Sequence, residues 1–129
     1  MAGKLLLVDD STLVRSEIKA ILKGSGVVIL EAGDGQEGLV TIAQNPDIGL
    51  ILLDINMPVM DGLTMIEHLK EQMASSGGKQ IPVVMLTTEN SSEKVVRAKK
   101  AGITGWIIKP PQRAQILGLV EKFLPKAAA

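Results

Sequence analysis

With 129 residues, 46% of them hydrophobic and 22% charged, the chain fits one compact domain and is too apolar to be disordered. Fourteen basic side chains balance fourteen acidic ones, so no overall field draws the protein to nucleic acid or to an anionic membrane. The absence of cysteine excludes disulfides, thiol nucleophiles and Cys-ligated zinc, and the two aromatics, Trp106 and Phe123, are too few for a base-stacking platform.

The start, Met1-Ala2-Gly3-Lys4 before four apolar residues and Asp9, is too short for a signal peptide, and no apolar run reaches the ~18 residues of a membrane span. With no cysteine, a reducing cytoplasm is the expected compartment. Leu5-Leu6-Leu7-Val8 then reads as a buried strand. Val14, Ile18, Ile21 and Leu22 follow helical spacing, with Ser11 or Thr12 as cap and Gly24 as stop. A second strand is expected at Val27 to Leu30 and a helix from about Gln36 to Asn45. Ile48 to Leu53 reads as the third strand and Leu63 to Ala74 as the third helix, followed by a flexible connection, Ser75-Ser76-Gly77-Gly78. Val83 to Leu86 is the fourth strand. Its helix spans about Ser92 to Ala101, capped by Ser91 or Ser92 and stopped by Gly102. Trp106-Ile107-Ile108 is the fifth strand. Ile116, Val120 and Phe123 mark the last helix, with Pro111 in its first turn and Lys126 to Ala129 as a tail.

Five β–α repeats with strands apolar on both faces imply a parallel, doubly wound α/β sheet covered by helices on each side. Ligands of such sheets bind beyond the carboxyl ends of the strands. The first strand ends in Asp9-Asp10, the third in Asp54, the fourth in Thr87-Thr88 and the fifth in Lys109-Pro110. Three carboxylates in one pocket repel unless a cation sits among them, and oxygen-only ligands favour a hard ion such as Mg²⁺. A lysine and a hydroxyl facing that cation suit an anion, and the combination is a phosphoryl-transfer arrangement. Taken singly, each residue has a plainer reading as a helix cap or a turn former, and Asp9-Asp10 could simply open a helix.

Val8-Asp9-Asp10-Ser11, Leu53-Asp54 with Met57-Pro58-Val59-Met60-Asp61-Gly62, Leu86-Thr87 and Lys109-Pro110 resemble, in order, the signature stretches of response-regulator receiver domains. The resemblance spans essentially the whole chain. It implies one receiver domain over residues 1–129, with its core at about 4–124, and a flavodoxin-like five-stranded sheet ordered 2-1-3-4-5. It further implies that Asp54 accepts the phosphoryl group, that Asp10, Asp54 and the Asn56 carbonyl bind Mg²⁺, and that Asp9 holds the ion through water. Thr87 would bond a phosphoryl oxygen, Lys109 would pair with the phosphate, and Lys109-Pro110 would be cis. Leu86-Thr87-Thr88-Glu89 is similar to the stand-alone chemotaxis regulators, in which the positions of Asn56 and Glu89 flank the site. Trp106 stands at the place of an aromatic switch residue; its plainer reading is a core aromatic. Pro111 departs from the family, where Phe is common. The implied partners are a histidine kinase as donor and a protein target on the face made by the fourth helix, fifth strand and fifth helix, with the protein a monomer.

Other readings are open at the sequence level. Gly33-Asp34-Gly35-Gln36-Glu37-Gly38 matches a dinucleotide fingerprint, but Glu31, Asp34 and Glu37 put negative charge where a pyrophosphate would dock. A phosphatase with an aspartyl nucleophile would need a second acid where Asn56 stands. An inert interaction domain has no use for the intact Asp9, Asp10, Asp54, Thr87 and Lys109. His68 is expected to face solvent. Arg97, Lys99 and Lys100 are expected to form a solvated face, or to meet an acidic partner. Met57, Met60 and Met85 belong to a turn and a strand and imply no cofactor.

Overall fold

A computed structural model describes residues 3–76, 80–88 and 92–124. The elements alternate: β1 (Lys4–Val8), α1 (Thr12–Ile21), β2 (Val28–Ala32), α2 (Gly35–Gln44), β3 (Ile48–Leu53), α3 (Gly62–Ser76), β4 (Val83–Thr87), α4 (Ser92–Lys100), β5 (Gly105–Ile108) and α5 (Arg113–Phe123). All pairings are parallel and the sheet runs β2-β1-β3-β4-β5, the expected order.

Alternation along the central strands divides the core into two layers. Leu6, Val8, Ile51, Leu53, Val83 and Met85 pack with Leu39, Ile42, Leu63, Ile66, Leu69 and Ala98, the side of α2, α3 and α4. Leu5, Leu7, Leu50, Leu52, Val84 and Leu86 pack with Ile18, Leu22, Ile116 and Val120, the side of α1 and α5. Among the described residues no helix is long and apolar enough to cross a membrane.

The burial expected of every strand holds for β1, β3 and β4 but not for the edges. Val28 on β2 and Ile108 on β5 are exposed, because each edge strand has a neighbour on one side only. The second strand also runs on through Glu31 and Ala32, beyond its apolar run, because Leu7 and Val8 supply ladder partners for both residues. Ser11 caps α1 by accepting from the Val14 amide. That helix ends at Ile21 with Leu22 as C-cap, ahead of Gly24, which takes φ +82 in the turn that follows. Ser75 and Ser76 are helical rather than part of a connection, so α3 runs two residues past Ala74, with Met73 of its last turns packed on the core. Pro111 lies outside α5, whose N-cap is Gln112, with the Gln115 side chain accepting from the Gln112 amide. The Lys109-Pro110 bond is cis. Gly77, Gly78, Glu89, Ser91 and the tail from Lys126 lie outside the described residues.

Candidate functional site

The register of the central strands assembles the site. Val8 lies opposite Leu53, so Asp9 and Asp54 leave the sheet side by side. Their backbones extend the ladders, with the Asp9 amide donating to the Ala32 carbonyl at 3.0 Å and the Asp54 amide to the Val8 carbonyl at 2.9 Å. One carboxylate oxygen from each of Asp9, Asp10 and Asp54 lies within 4.8 Å of the others. From the far side of the sheet, the Lys109 amide donates to the Thr87 carbonyl at 3.0 Å, a continuation of the Thr87–Ile108 pairing. The Lys109 ammonium then reaches across to lie 2.7 Å from Asp9 Oδ2 and 3.1 Å from Asp54 Oδ2. Asp9, Asp10, Asp54 and Lys109 are thus in one cluster, and Thr87 is linked to it through the backbone of Lys109.

Burial sets the electrostatics. Asp9 is 1% exposed, Asp54 6% and Thr87 0%, whereas Asp10 faces solvent. Burial pushes the Asp9 carboxyl above its ordinary value and the Asp54 charge adds to this. Lys109 and the Ser11 amide, which donates to Asp9 Oδ1 at 2.8 Å, work the other way without reversing it. Burial also disfavours the Lys109 charge, but the two carboxylates outweigh it and raise that pKa. A single ammonium cannot neutralise three carboxylates. Moreover, Asp9 Oδ2 is buried and is met by the Lys109 ammonium at 2.7 Å, a cation it shares with Asp54 Oδ2. An all-oxygen donor set of three carboxylates with a surplus of negative charge fits a hard divalent cation.

The segment after Asp54 is pinned closely. Ile55 is buried and its carbonyl accepts from Gly62 at 2.9 Å. Asp61 Oδ1 accepts from the Thr64 amide at 2.8 Å, which opens α3, and the Met60 carbonyl accepts from the Gly35 amide at 2.9 Å. Gly35 is needed there, since a Cβ would come 2.8 Å from the Met60 carbonyl. In the apparent dinucleotide fingerprint, Gly35 therefore serves a close approach of α2 to this loop and Gly38 a close approach to Met65 of α3. Asp34 caps the helix by accepting from the Glu37 amide. Met57 and Met60 pack against the core, while Val59 is exposed at φ +66, a left-handed conformation costly for a β-branched residue.

Asn56 is exposed beside the cluster, and its side-chain oxygen accepts from Lys94 Nζ of α4 at 3.4 Å. Sequence reasoning gave Lys94 no role; its one signal was a cation in the first turn of a helix. Arg97 is not simply solvated. Its guanidinium forks onto Glu67 of α3 at 2.7 and 3.3 Å, an acidic partner within the chain. His68 is exposed, as expected. Trp106 sits opposite Met85 in mid-strand, half-buried against the α2–α4 side of the core, and not at the strand ends. Val96 of α4 and Ile108 of β5 are exposed apolar residues on neighbouring elements.

Comparison with known proteins agrees with this geometry. Residues 5–121 match the model of the response regulator receiver domain. The chain is 39% identical over 108 residues to the chemotaxis protein CheY1 of Helicobacter pylori (strain ATCC 700392 / 26695), covering 83% of this chain and 85% of that protein. It is 32% identical over 123 residues to the two-component response regulator ORR5 of Oryza sativa subsp. japonica, covering 95% and 90%. Among solved structures it is similar to Vibrio cholerae chemotaxis protein CheY4, with TM-score 0.80, 35% identity and coverage of 95% and 99%. It is also similar to CheY in the CheX-CheY-BeF3-Mg+2 complex from Borrelia burgdorferi, with TM-score 0.79, 28% identity and coverage of 95% and 89%. With the family model matched from β1 into α5 and the strand-end carboxylates gathered as described, the chain belongs to the response regulator receiver domain family.

Proposed function

We propose that this protein is a phosphorylation switch of the chemotaxis regulator type, in which Asp54 accepts a phosphoryl group from a histidine kinase. The observation that carries the reading is the convergence of Asp9, Asp10 and Asp54 within 4.8 Å, with the Lys109 ammonium touching two of them. The similarity to CheY1, whose name ties it to chemotaxis, supports the narrower reading.

In this reading an Asp54 carboxylate oxygen bonds to phosphorus as the bond from phosphorus to the donor breaks. The donor is the imidazole nitrogen of a phosphohistidine or the acyl oxygen of a small acyl phosphate, and it leaves with the electron pair. Lys109 moves from its contact with Asp54 to an oxygen of the transferring group, and the Thr87 hydroxyl donates to another. Asp10, Asp54 and the Asn56 carbonyl would hold Mg²⁺, with Asp9 as a further acidic neighbour, and the ion when bound would offset charge on the phosphoryl oxygens. Lys109 also keeps the buried Asp9 and Asp54 compatible with the fold until that charge arrives.

The phosphorylated chain acts by binding a protein partner through the face of α4, β5 and α5, with Thr87 and Trp106 as the switch pair. Residues 1–129 act as one receiver unit and as a monomer. The protein is a phosphoacceptor, not an enzyme acting on other molecules: Asn56 stands where a hydrolase would carry a general acid, so loss of the group is slow self-hydrolysis. Incubation with acetyl phosphate and Mg²⁺, followed by intact-mass measurement, tests this. One labile phosphoryl group is expected on the wild type and none on Asp54→Asn. Equal labelling of the two would overturn the assignment, and steady turnover of unrelated phosphate esters would replace it with a phosphatase.

A further inference from the structure

Helix α4 has a weak apolar attachment and a strong polar one. Its one buried residue is Ala98. On the face turned to α3, Arg97 forks onto Glu67, and the Lys100 carbonyl accepts from Lys70 Nζ at 3.1 Å. One turn before Arg97 on that same face stands Lys94. Its position is electrostatically adverse, since a cation in the first turn of a helix opposes the dipole. Lys99 and Lys100 of the same helix are exposed, yet Lys94 is half-buried. Its ammonium reaches across 38 residues of sequence to donate to Asn56 Oδ1.

Asn56 follows the phosphoacceptor by two residues. Its backbone is held in place by its neighbour: Ile55 is 1% exposed and bonded to Gly62, whereas the Asn56 side chain is exposed. Asp9 and Thr87 are buried whereas Asp10 and Asn56 are exposed, so the solvent side of the cluster is the one that carries Asp10 and Asn56. The fork of Arg97 on Glu67 ties α4 to α3, and Lys94, one turn earlier on the helix, reaches Asn56.

We propose that Lys94 is a positioning residue that holds the Asn56 side chain at the mouth of the site and thereby sets the lifetime of the phosphoryl group on Asp54; this rests on the phosphoacceptor reading above. In the step it controls, a water oxygen bonds to phosphorus as the bond from phosphorus to the Asp54 oxygen breaks. Asp54 leaves as the carboxylate, and the water protons pass to phosphate and solvent. An Asn56 amide tethered through its oxygen keeps its NH₂ on that solvent side. Released from Lys94, the side chain swings and admits water more often.

The test is phosphoryl decay. Wild type, Lys94→Ala, Lys94→Arg, Asn56→Ala and the double variant are labelled with acetyl phosphate and Mg²⁺, freed of donor, and followed by intact mass at fixed Mg²⁺. Loss of one positioned hydrogen bond predicts decay roughly 3–10-fold faster in Lys94→Ala, with Lys94→Arg close to wild type. Adding Lys94→Ala to Asn56→Ala should have no further effect, because the two act as one unit. A merely structural role would lower the melting temperature without this pattern. Wild-type decay in a fully labelled Lys94→Ala overturns the inference and leaves the phosphoacceptor reading standing. Independent, additive effects of the two substitutions also overturn it. A wild type that takes no label removes both.

Discussion

Gly62 lies against Asp54 so closely that a Cβ added to it would come 2.1 Å from the Asp54 carbonyl oxygen and 2.9 Å from the carbonyl carbon. The first residue of α3 is therefore packed onto the backbone of Asp54, the proposed acceptor. Its amide bonds the next carbonyl, that of Ile55, at 2.9 Å. No side chain of any size fits, and the obstacle is backbone, which cannot rotate aside.

Gly62→Ala should destabilise the protein by at least the roughly 1–3 kcal/mol of an overpacked core site. Urea denaturation should show a lower midpoint with an unchanged slope. Relief of the clash also moves Asp54, so labelling by acetyl phosphate should slow even at temperatures where the variant is folded. A midpoint within error of wild type would mean that α3 starts elsewhere.

Lys109 gives the second prediction. It is the cation in contact with buried Asp9 and Asp54, and its removal leaves them uncompensated. Loss of one partner of a buried pair costs roughly 3–5 kcal/mol, and Lys109→Met should fall near the low end because Asp9 can take up a proton. The pH dependence has a definite sign. Asp9 in the folded protein already has a raised pKa, so ionising it costs stability as pH rises through that value. The penalty of Lys109→Met should therefore be small in acid, below the ordinary carboxyl value, and grow toward neutrality. Mg²⁺ at ~100 times its dissociation constant should return about 2.7 kcal/mol, and that gain should vanish in Asp10→Ala. Denaturation at several pH values, with chelator and with Mg²⁺, separates these outcomes; a penalty independent of both would refute the electrostatic account.

How much of this was legible in the sequence depends on the range of the contact. Parallel strands announce themselves as apolar runs, and the residue that ends each run marks the edge where ligands of such sheets bind, so Asp9, Asp54, Thr87 and Lys109 are legible from the sequence alone. Periodicity cannot say how far a helix outlasts its last apolar residue, hence Ser75 and Ser76. Nor does it locate an N-cap when Pro111 and Gln112 both fit the start of a helix. Contacts between helices far apart in sequence leave no pattern at all. Arg97 to Glu67 and Lys94 to Asn56 are visible only once the crossovers place α4 beside α3 and the loop after β3, and Gly62 to Asp54 only once that loop closes on itself. The strained φ of Val59 was equally invisible, because valine is the last residue propensity would put there.

The Arg97–Glu67 fork offers a third prediction. Hydrogen bonding to Arg97 holds the Glu67 carboxyl below its ordinary value of 4.5. A folded-state pKa below the unfolded one contributes stability that is present above the ordinary value and lost as pH falls through the folded one. Glu67→Gln should therefore lower the melting temperature slightly at neutral pH and not at all once both proteins are in strong acid. Both side chains are 47% exposed, so the difference should also shrink with added salt. A difference that persists in strong acid would point to packing at the α3–α4 groove instead of charge.

The last prediction concerns Trp106, the single tryptophan, whose fluorescence reports one place in β5. Its neighbour across the ladder is Met85, two residues before Thr87 on β4, and Thr87 is bonded through its carbonyl to Lys109. A pull on the Thr87 hydroxyl by a phosphoryl oxygen thus acts on the strand against which the indole packs. Because Trp106 is half-buried rather than sealed in the core, it has room to change environment. Beryllofluoride with Mg²⁺ should alter the emission or quenching of Trp106 in wild type, and Thr87→Ala should weaken that change without abolishing occupancy of the site. Coupling between two sites is typically worth ~1–3 kcal/mol, so affinity for a partner on the α4–β5–α5 face should shift by roughly 5–150-fold. A mimic that saturates the site yet leaves both the fluorescence and partner affinity untouched would defeat the switch. Trp106 would then be a packing residue of the edge strand, and the phosphoryl site would have to signal through another element, with α4 and its Lys94 tether the nearest.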